Sequence, residues 1–452
     1  MSQQSRTLSL NAFLHDTGHH EASWRHPDSS VERAHDITFY TELAQQAEAA
    51  KLDGIFFADV PGVWAATPYR PTAHLEPITR LAAIAAGTSH IGLIATASTT
   101  FYEPYNLARL FSSLDILSGG RAGWNIVTTQ SDVVARNFSL TEIPTAEERY
   151  ARAQEFIDVV TKLWDSWEDD AILADREAGL YFDPEKVHPI NHVGRHYQVE
   201  GALAAPRSPQ GRPVYVQAGS SNEGRAFAAR NAEAIFTAHQ TIQDAQAFYA
   251  DIKQRAASLG RNPDHIKVLP GISPFLGDTE AEARDLQEYV NSLTVPAYGR
   301  AQLENLAGVS LGDLGLDEPV PASLFGSAGN VLDNNRSRLQ VVANIVERDR
   351  PTLRQLLHRL AGGRGHNVVA GTPTQVADII ADWFEGGAAD GFNVMPPLYP
   401  QLLDAFTSQV VPILQDRGLF RTEYAGRTLR EHYGLPRPES IYAGGAAAVE
   451  TA

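Results

Sequence analysis

The 452-residue chain contains no cysteine. Disulfides, thiolate nucleophiles and cysteine-ligated zinc or iron–sulfur centres are thereby excluded. Positive charge is also scarce: 37 lysines and arginines face 54 aspartates and glutamates, a formal net charge of −17. A general basic footprint for nucleic acid is absent, and the acidity serves solubility. No apolar run is long enough to cross a bilayer, and the polar start Met1-Ser2-Gln3-Gln4-Ser5-Arg6 lacks a signal-peptide core. The expectation is a cytoplasmic protein with neither nucleic-acid nor membrane partners. Two further absences bear on chemistry. The first strand pattern ends in Leu14-His15-Asp16-Thr17-Gly18-His19-His20, not in a Gly-rich dinucleotide fingerprint. It also lacks the His-x-His pair that a metal-dependent barrel hydrolase usually places there.

What is present is an ordinary globular composition, 43% hydrophobic and 20% charged. Short apolar runs alternate with amphipathic stretches. The patterns predict strands over 7–13, 54–59, 91–96, 122–127, 214–217, 234–237, 267–272 and 391–394. They predict helices over 39–50, 76–86, 107–117, 147–164, 223–231, 242–259, 280–293, 375–384 and 401–415. Repeated βα units imply a parallel sheet, and about eight of them suggest a closed α/β barrel, the (β/α)8 TIM barrel, over an open doubly wound sheet. We expect one domain over 1–435. Insertions at about 165–212 and 294–365 would act as a lid or an oligomer contact, and 436–452 would form a tail.

The segment Leu117-Ser118-Gly119-Gly120-Arg121-Ala122-Gly123-Trp124-Asn125-Ile126-Val127-Thr128 concentrates the signal. Two glycines suit a helix stop at positive φ. The strand that follows carries one amide, Asn125, which is costly inside a barrel unless something polar satisfies it. Asp59, Thr96 and Asn125 lie at or near the ends of the second, third and fourth predicted strands and could converge at one mouth, where barrel chemistry is placed. Asp59 can equally be a turn residue before Pro61-Gly62, and Thr96 a plain β-branched strand residue. Gly219-Ser220-Ser221-Asn222-Glu223-Gly224-Arg225 follows a strand and opens a helix, suiting a phosphate or a simple N-cap. His15, His19, His20 and His26 cluster after the first strand. Either His19 or His20 could be an acid/base or hydrogen-bonding group, with loop structure as the alternative. His188, His192 and His196 have helical spacing, but Pro189 and Gly194 interrupt that helix, so no metal is expected. Phe56, Phe57, Trp64, Tyr69, Phe101, Tyr102 and Tyr105 crowd the expected mouth. Phe56, Trp64 and Tyr102 are the substrate-lining candidates, and the set suits an apolar or aromatic substrate. Arg25, Arg70 and Arg109 leave room for an anionic substituent. A strongly polyanionic substrate would need more charge than the sequence places.

Longer motifs recur along the chain: Phe57-Ala58-Asp59, Leu75-Glu76-Pro77, Ala95-Thr96-Ala97-Ser98-Thr99-Thr100, Glu148-Arg149-Tyr150, Gln217-Ala218-Gly219-Ser220-Ser221, Glu385-Gly386-Gly387-Ala388-Ala389-Asp390-Gly391-Phe392 and Gln415-Asp416-Arg417-Gly418. With the Gly-Gly-Arg segment they make the chain, from about residue 8 to 435, resemble the flavin-dependent monooxygenases of the bacterial luciferase-like superfamily. The likeness is to the branch acting on nitrilotriacetate, dibenzothiophene sulfone, pristinamycin precursors and long-chain alkanes. The resemblance implies a luciferase-like TIM barrel that uses FMN as FMNH2, supplied by a separate NAD(P)H-dependent flavin reductase. It implies that one atom of O2 enters a small, apolar, aromatic or organosulfur substrate and the other becomes water, and that the chain forms a homodimer or homotetramer. It assigns Tyr150, Ser220 and Ser221 to the phosphate and Asp59, Thr96 and Asn125 to the flavin. Thr96 and Asn125 then lie where oxygen meets the ring, and His19 or His20 lies near the substrate. Relatives often carry histidine four residues before this tyrosine; here that position is Ala146. The alternative is a deazaflavin- or flavin-dependent oxidoreductase on the same barrel that exchanges hydride without inserting oxygen. A non-catalytic flavin-binding protein is a third reading.

Overall fold

The computed structural model describes residues 6–63, 68–129, 131–219, 221–308, 310–325 and 336–442. Its centre is a closed parallel barrel of β1 (Ser9–Leu14), β2 (Gly54–Phe57), β3 (Gly92–Ser98), β4 (Ala122–Val127), β5 (Val214–Gln217), β6 (Ala234–Thr237), β7 (Lys267–Leu276) and β8 (Gly391–Val394). Each strand pairs with its successor, and β8 returns to β1 with Ser9 opposite Gly391. Helices fill the crossovers, giving the (β/α)8 architecture expected from the alternating patterns. One strand of the central sheet is not among those the sequence predicts. Asn367–Gly371 pairs with the far half of β7, Ile272–Leu276, which runs past the barrel rim. Its five residues sit between an insertion and a helix, too short for periodicity to separate from loop.

The N-terminal end of the barrel is sealed by the chain's own C-terminal segment. Leu429 is fully buried, and its methyls fill the space left by two strand glycines. A Cβ at Gly92 would lie 2.4 Å from Leu429 Cδ1, and one at Gly123 3.1 Å from Cδ2. Tyr433 donates to Asn11 Oδ1 at 2.9 Å, and Asn11 Nδ2 donates to Asn393 Oδ1 at 2.8 Å. Two polar strand residues facing the interior are thereby satisfied. Around them pack Phe13, Phe56, Ile94, Val214, Val216, Phe236, Leu269 and Met395.

Gly119 and Gly120 take φ of +72° and +94°, the helix stop expected of them. Arg121, next in sequence, is structural. It is 2% exposed and donates to the carbonyls of Ala85, Thr88, Ile91 and Ser118 and to the Thr88 hydroxyl. The motif's arginine thus ties two helix ends to the start of β4, far from the mouth.

The segment 165–212 forms two small hairpins, Ile172–Asp175 with Leu180–Phe182 and His192–Val193 with Gln198–Val199. His188 and His192 each pair with a separate carboxylate, Glu168 at 2.8 Å and Glu155 at 3.1 Å, while His196 lies 3.6 Å from Glu148. No helix holds these three histidines on one face. The segment 294–365 contains helices Pro296–Ala307, Arg336–Asp349 and Leu353–Gly363 around a core of their own, including Leu303, Val342, Ile345, Leu353 and Leu356. Residues 436–442, expected as tail, dock on the first insertion instead. Arg437 pairs with Asp169 at 2.6 Å, Ser440 Oγ donates to Asp165 O at 3.2 Å, and Tyr442 stacks on His188 at 4.3 Å. The rest of the expected tail, 443–452, lies outside the described residues. Among the described residues no helix is long and apolar enough to cross a membrane.

The seal yields a test. Leu429→Ala opens a cavity against two glycines that cannot close it, so unfolding in urea should show a loss of about 2–5 kcal/mol. A loss below about 1 kcal/mol, the range of a tolerant surface site, would show that the segment is not a plug.

Candidate active site

Thr96 and Asn125 face each other in the β3–β4 register. Thr96 Oγ1 donates to Phe57 O at 2.9 Å, and Asn125 Nδ2 donates to Thr96 Oγ1 at 2.8 Å. Because the threonine proton is committed to a carbonyl, its oxygen can only accept, and this orients the amide. Asn125 Oδ1 is left buried without a partner, on a residue only 3% exposed. An unsatisfied buried acceptor costs about 1–3 kcal/mol, which a donor on a ligand would recover. Gln217, the last residue of β5, repeats the situation, its Oε1 also buried and unpaired. Gln217 is a site residue beyond those the sequence motifs assign. Its signal was the one used for Asn125, an amide closing an apolar strand.

Beyond β5 the helix Asn222–Asn231 begins at the same end of the barrel, capped as expected by Ser221, whose Oγ accepts from Gly224 N at 3.0 Å. The Tyr150 hydroxyl lies against Ser221 and Thr128, and burial raises its pKa. A Cβ at Gly224 would meet Tyr150 Oη and Gly219 Cα, both at 3.1 Å, so the glycines keep this helix start open. Exposed N–H groups at a helix start and neighbouring hydroxyls are the donor set of a phosphate site. Ser220 lies outside the described residues, as does Trp64. Ala146 opens the helix Ala146–Asp165, whose N-cap is Thr145, so no polar side chain stands at that position.

Asp59 follows β2 closely. Burial first, and then the charge of Glu76, pushes its pKa up to about 6. Glu76 itself caps the helix Pro77–Ala85, accepting from Ile78 N at 2.9 Å and Thr79 N at 2.6 Å, which gives the Leu-Glu-Pro motif a structural role. Tyr102 is half-buried within the field of both carboxylates, and its pKa is pushed up to about 12, by burial foremost.

The structure separates the two histidines. His20 is spent: its Nε2 donates to Asn291 Oδ1 at 3.1 Å and its Nδ1 accepts from Ala22 N at 3.1 Å. His19 is 3% exposed, neither ring nitrogen has a partner of normal geometry, and it sits edge-on to Phe13 at 4.4 Å. Burial lowers the pKa of both, His20 to about 4. Phe13 stacks on Phe56 at 4.4 Å, both meet Phe236 edge-on, and Phe236 stacks on His366 at 4.7 Å. These rings make an aromatic floor, and His366 is a member that sequence reading missed.

Other expected mouth residues lie elsewhere. Phe57 faces outward, under the Arg80 guanidinium at 4.3 Å and edge-on to Tyr40, because alternate strand residues point to opposite faces. Phe101 stacks on Phe138 at 4.5 Å, and the Tyr105 hydroxyl donates to Ala202 O at 3.2 Å. Tyr69 packs beside Tyr298 at 6.0 Å. Arg25 is bound to Leu293 O, and Arg109 is exposed on the helix Pro104–Leu117. Arg70 does line the cleft over β1, with His15, Glu21 and Arg364.

A family model described as luciferase-like monooxygenase matches residues 17–390. The chain is 46% identical over 444 residues to N-acetyl-S-(2-succino)cysteine monooxygenase of Bacillus subtilis, covering 98% of this chain and 100% of that protein. It is 45% identical over 452 residues to nitrilotriacetate monooxygenase component A of Aminobacter aminovorans, covering 97% and 99%. A solved riboflavin lyase, with modified FMN and riboflavin, superposes with a TM-score of 0.83 at 32% identity over 95% of this chain and 96% of that one.

Asp59 provides a test independent of turnover. Its folded pKa, about 6, is above the unfolded value, so folding favours its neutral form. Its cost is absent below pH 4, grows as pH rises towards 6, and is constant above. Asp59→Asn should therefore raise the melting temperature at pH 7.5 and leave it nearly unchanged at pH 4. An equal shift at both pH values would show that the carboxyl is not strained by burial.

Proposed function

Because the chain belongs to the luciferase-like monooxygenase family, we propose that it is the FMNH2-dependent oxygenase component of a two-component system. One atom of O2 enters a small organic substrate. The observation that carries this reading is the pair of unpaired amide oxygens, Asn125 Oδ1 and Gln217 Oε1, at one end of a barrel that also presents the Ser221–Tyr150 helix start. The donor chemistry fits. A reduced isoalloxazine ring carries more N–H groups than an oxidised one and would satisfy acceptors, while hydroxyls and helix N–H groups suit its phosphate.

In this reading Tyr150, Ser220 and Ser221 hold the phosphate. Asp59, Thr96 and Asn125 contact the ring, with Gln217 as a further acceptor. Bound reduced FMN would supply the two electrons that split O2 between product and water. Thr96 holds the Asn125 amide in one orientation, so its oxygen is presented without reorganisation. His19, neutral at neutral pH, offers one donor and one acceptor beside the substrate. Phe56, Trp64 and Tyr102 line the space around it. The aromatic floor excludes water, and the 294–365 helices cover the mouth as a lid on a single 1–435 unit. With no nicotinamide fingerprint in the chain, an NAD(P)H-dependent flavin reductase is the partner. We place the protein in the cytoplasm as a homodimer or homotetramer. Ala146 removes one polar contact, and FMN affinity should be modest in consequence.

Photoreduced FMN, ¹⁸O2 and a panel of sulfones, alkanes and amino-polycarboxylates test the reading: one labelled oxygen should appear per product molecule. Flavin oxidation matched by hydride transfer, with no label in any product, would favour the oxidoreductase alternative. Asn125→Ala should lower coupled oxygenation about 10²-fold, the size of a lost preorganised polar group at a reacting centre, with oxygen released as hydrogen peroxide instead. Unchanged coupling would remove Asn125 from the site.

A further inference from the structure

The first insertion carries an arm that the barrel does not cover. Its strands Ile172–Asp175 and Leu180–Phe182 form a hairpin whose seven strand residues are all exposed, and five of them are large and apolar. Alternation puts Ile172, Leu180 and Phe182 on one face and Leu173 and Tyr181 on the other. Tyr181 is 64% exposed. The arm is built to hold its shape. Asp175 Oδ1 accepts from Glu177 N at 2.9 Å and from Ala178 N at 3.0 Å, and Gly179 closes the turn at a φ of +66°. Its root is tied to the rest of the insertion: Phe182 meets Trp167 at 5.1 Å, and Trp167 Nε1 donates to Leu203 O at 2.7 Å.

A second bare patch lies beside that root. The helix Pro104–Leu117 packs against the insertion where the Tyr105 hydroxyl donates to Ala202 O, next in sequence to Leu203. Its outer ridge leaves Leu110 43% exposed and Leu117 71% exposed, two turns apart on one face.

A two-stranded hairpin is marginal in water on its own, and an arm that is apolar on both faces has to be gripped rather than merely touched. Within one chain the arm and the helix ridge both stay bare. In a two-fold pair each arm lies on the other copy's ridge, so the same contact forms twice. The area is of the right size: these side chains would withdraw several hundred Å² from water per copy, against the ~800 Å² per partner of a stable interface. A flavin reductase that meets the protein only to hand over flavin would use a smaller and more polar surface. A membrane surface, anionic itself, would repel a chain of net charge −17 whose arm has the acidic tip Asp175-Arg176-Glu177 and no lysine.

We propose that the hairpin 172–182 is a dimerisation arm that docks on the Leu110–Leu117 ridge of a second copy of this chain. The proposal rests on the homodimer or homotetramer reading above and names its contact surface.

The absence of cysteine makes the test clean. Tyr181→Cys and Leu117→Cys chains carrying different tags are co-expressed, purified through both tags and treated with a short bismaleimide. A crosslinked peptide pair joining the two substituted positions, one from each chain, is expected. In mass photometry over a dilution series the unaltered chain should be dimeric or tetrameric. The double variant Leu173→Ser with Tyr181→Ser should weaken one association step at least 100-fold, the size of two apolar side chains no longer buried. Both positions are exposed in the single chain, so its circular dichroism spectrum should be unchanged. An oligomer whose dissociation is the same in the double variant, or one that gives no crosslink between the two positions, would overturn the arm and leave the oligomer reading standing. A monomeric unaltered chain would overturn both, whether the arm then grips a reductase or nothing.

Discussion

Phe57 O, Thr96 Oγ1 and Asn125 Nδ2 form a directional chain across three neighbouring strands. Each member has one way to be satisfied once barrel closure sets the register. The carbonyl accepts, the hydroxyl gives it its proton, and the amide NH2 must give to the hydroxyl oxygen. The amide oxygen then has nowhere to turn within the protein. A buried acceptor left over in this way is where a fold stores free energy for a ligand, because the loss is already present before anything binds.

The two ends of the barrel show the contrast. At the N-terminal end the polar groups inside the barrel answer one another, while Asp115 Oδ2 and His432 Nδ1 stay unpaired among the helices and the C-terminal segment around it. Asn11, Asn393 and Tyr433 bond to one another, Arg121 finds five acceptors, and Asp53 receives Leu10 N at 2.6 Å and pairs with Arg421. At the C-terminal end Asn125, Gln217 and His19 keep polar atoms in reserve. The first end is built for stability and the second for binding, the division expected of (β/α)8 barrels.

Much of this was legible in the residues. The eight strands and their helices followed from apolar runs alternating with amphipathic ones, and Gly119, Gly120 and Ser221 took the backbone and capping roles their chemistry predicted. Asn125 stood out because an amide in an apolar strand is costly anywhere. Less was legible where contacts are distant in sequence. Nothing local distinguishes His19 from His20; an asparagine 271 positions later occupies one and leaves the other unpaired. Phe57 looked equivalent to Phe56 until the strand pleat sent them to opposite faces. Arg364 and His366 sit at the end of an insertion whose return path no periodicity encodes.

The central claim is that the atoms left unpaired at the mouth are reserved for a reduced flavin. An anaerobic crystal structure with photoreduced FMN tests it most directly. The account predicts the phosphate at Ser221 and Tyr150, and the ring within hydrogen-bonding distance of Asn125 Oδ1 or Gln217 Oε1. A flavin bound elsewhere, or a mouth in which both amide oxygens are answered only by water, would contradict it.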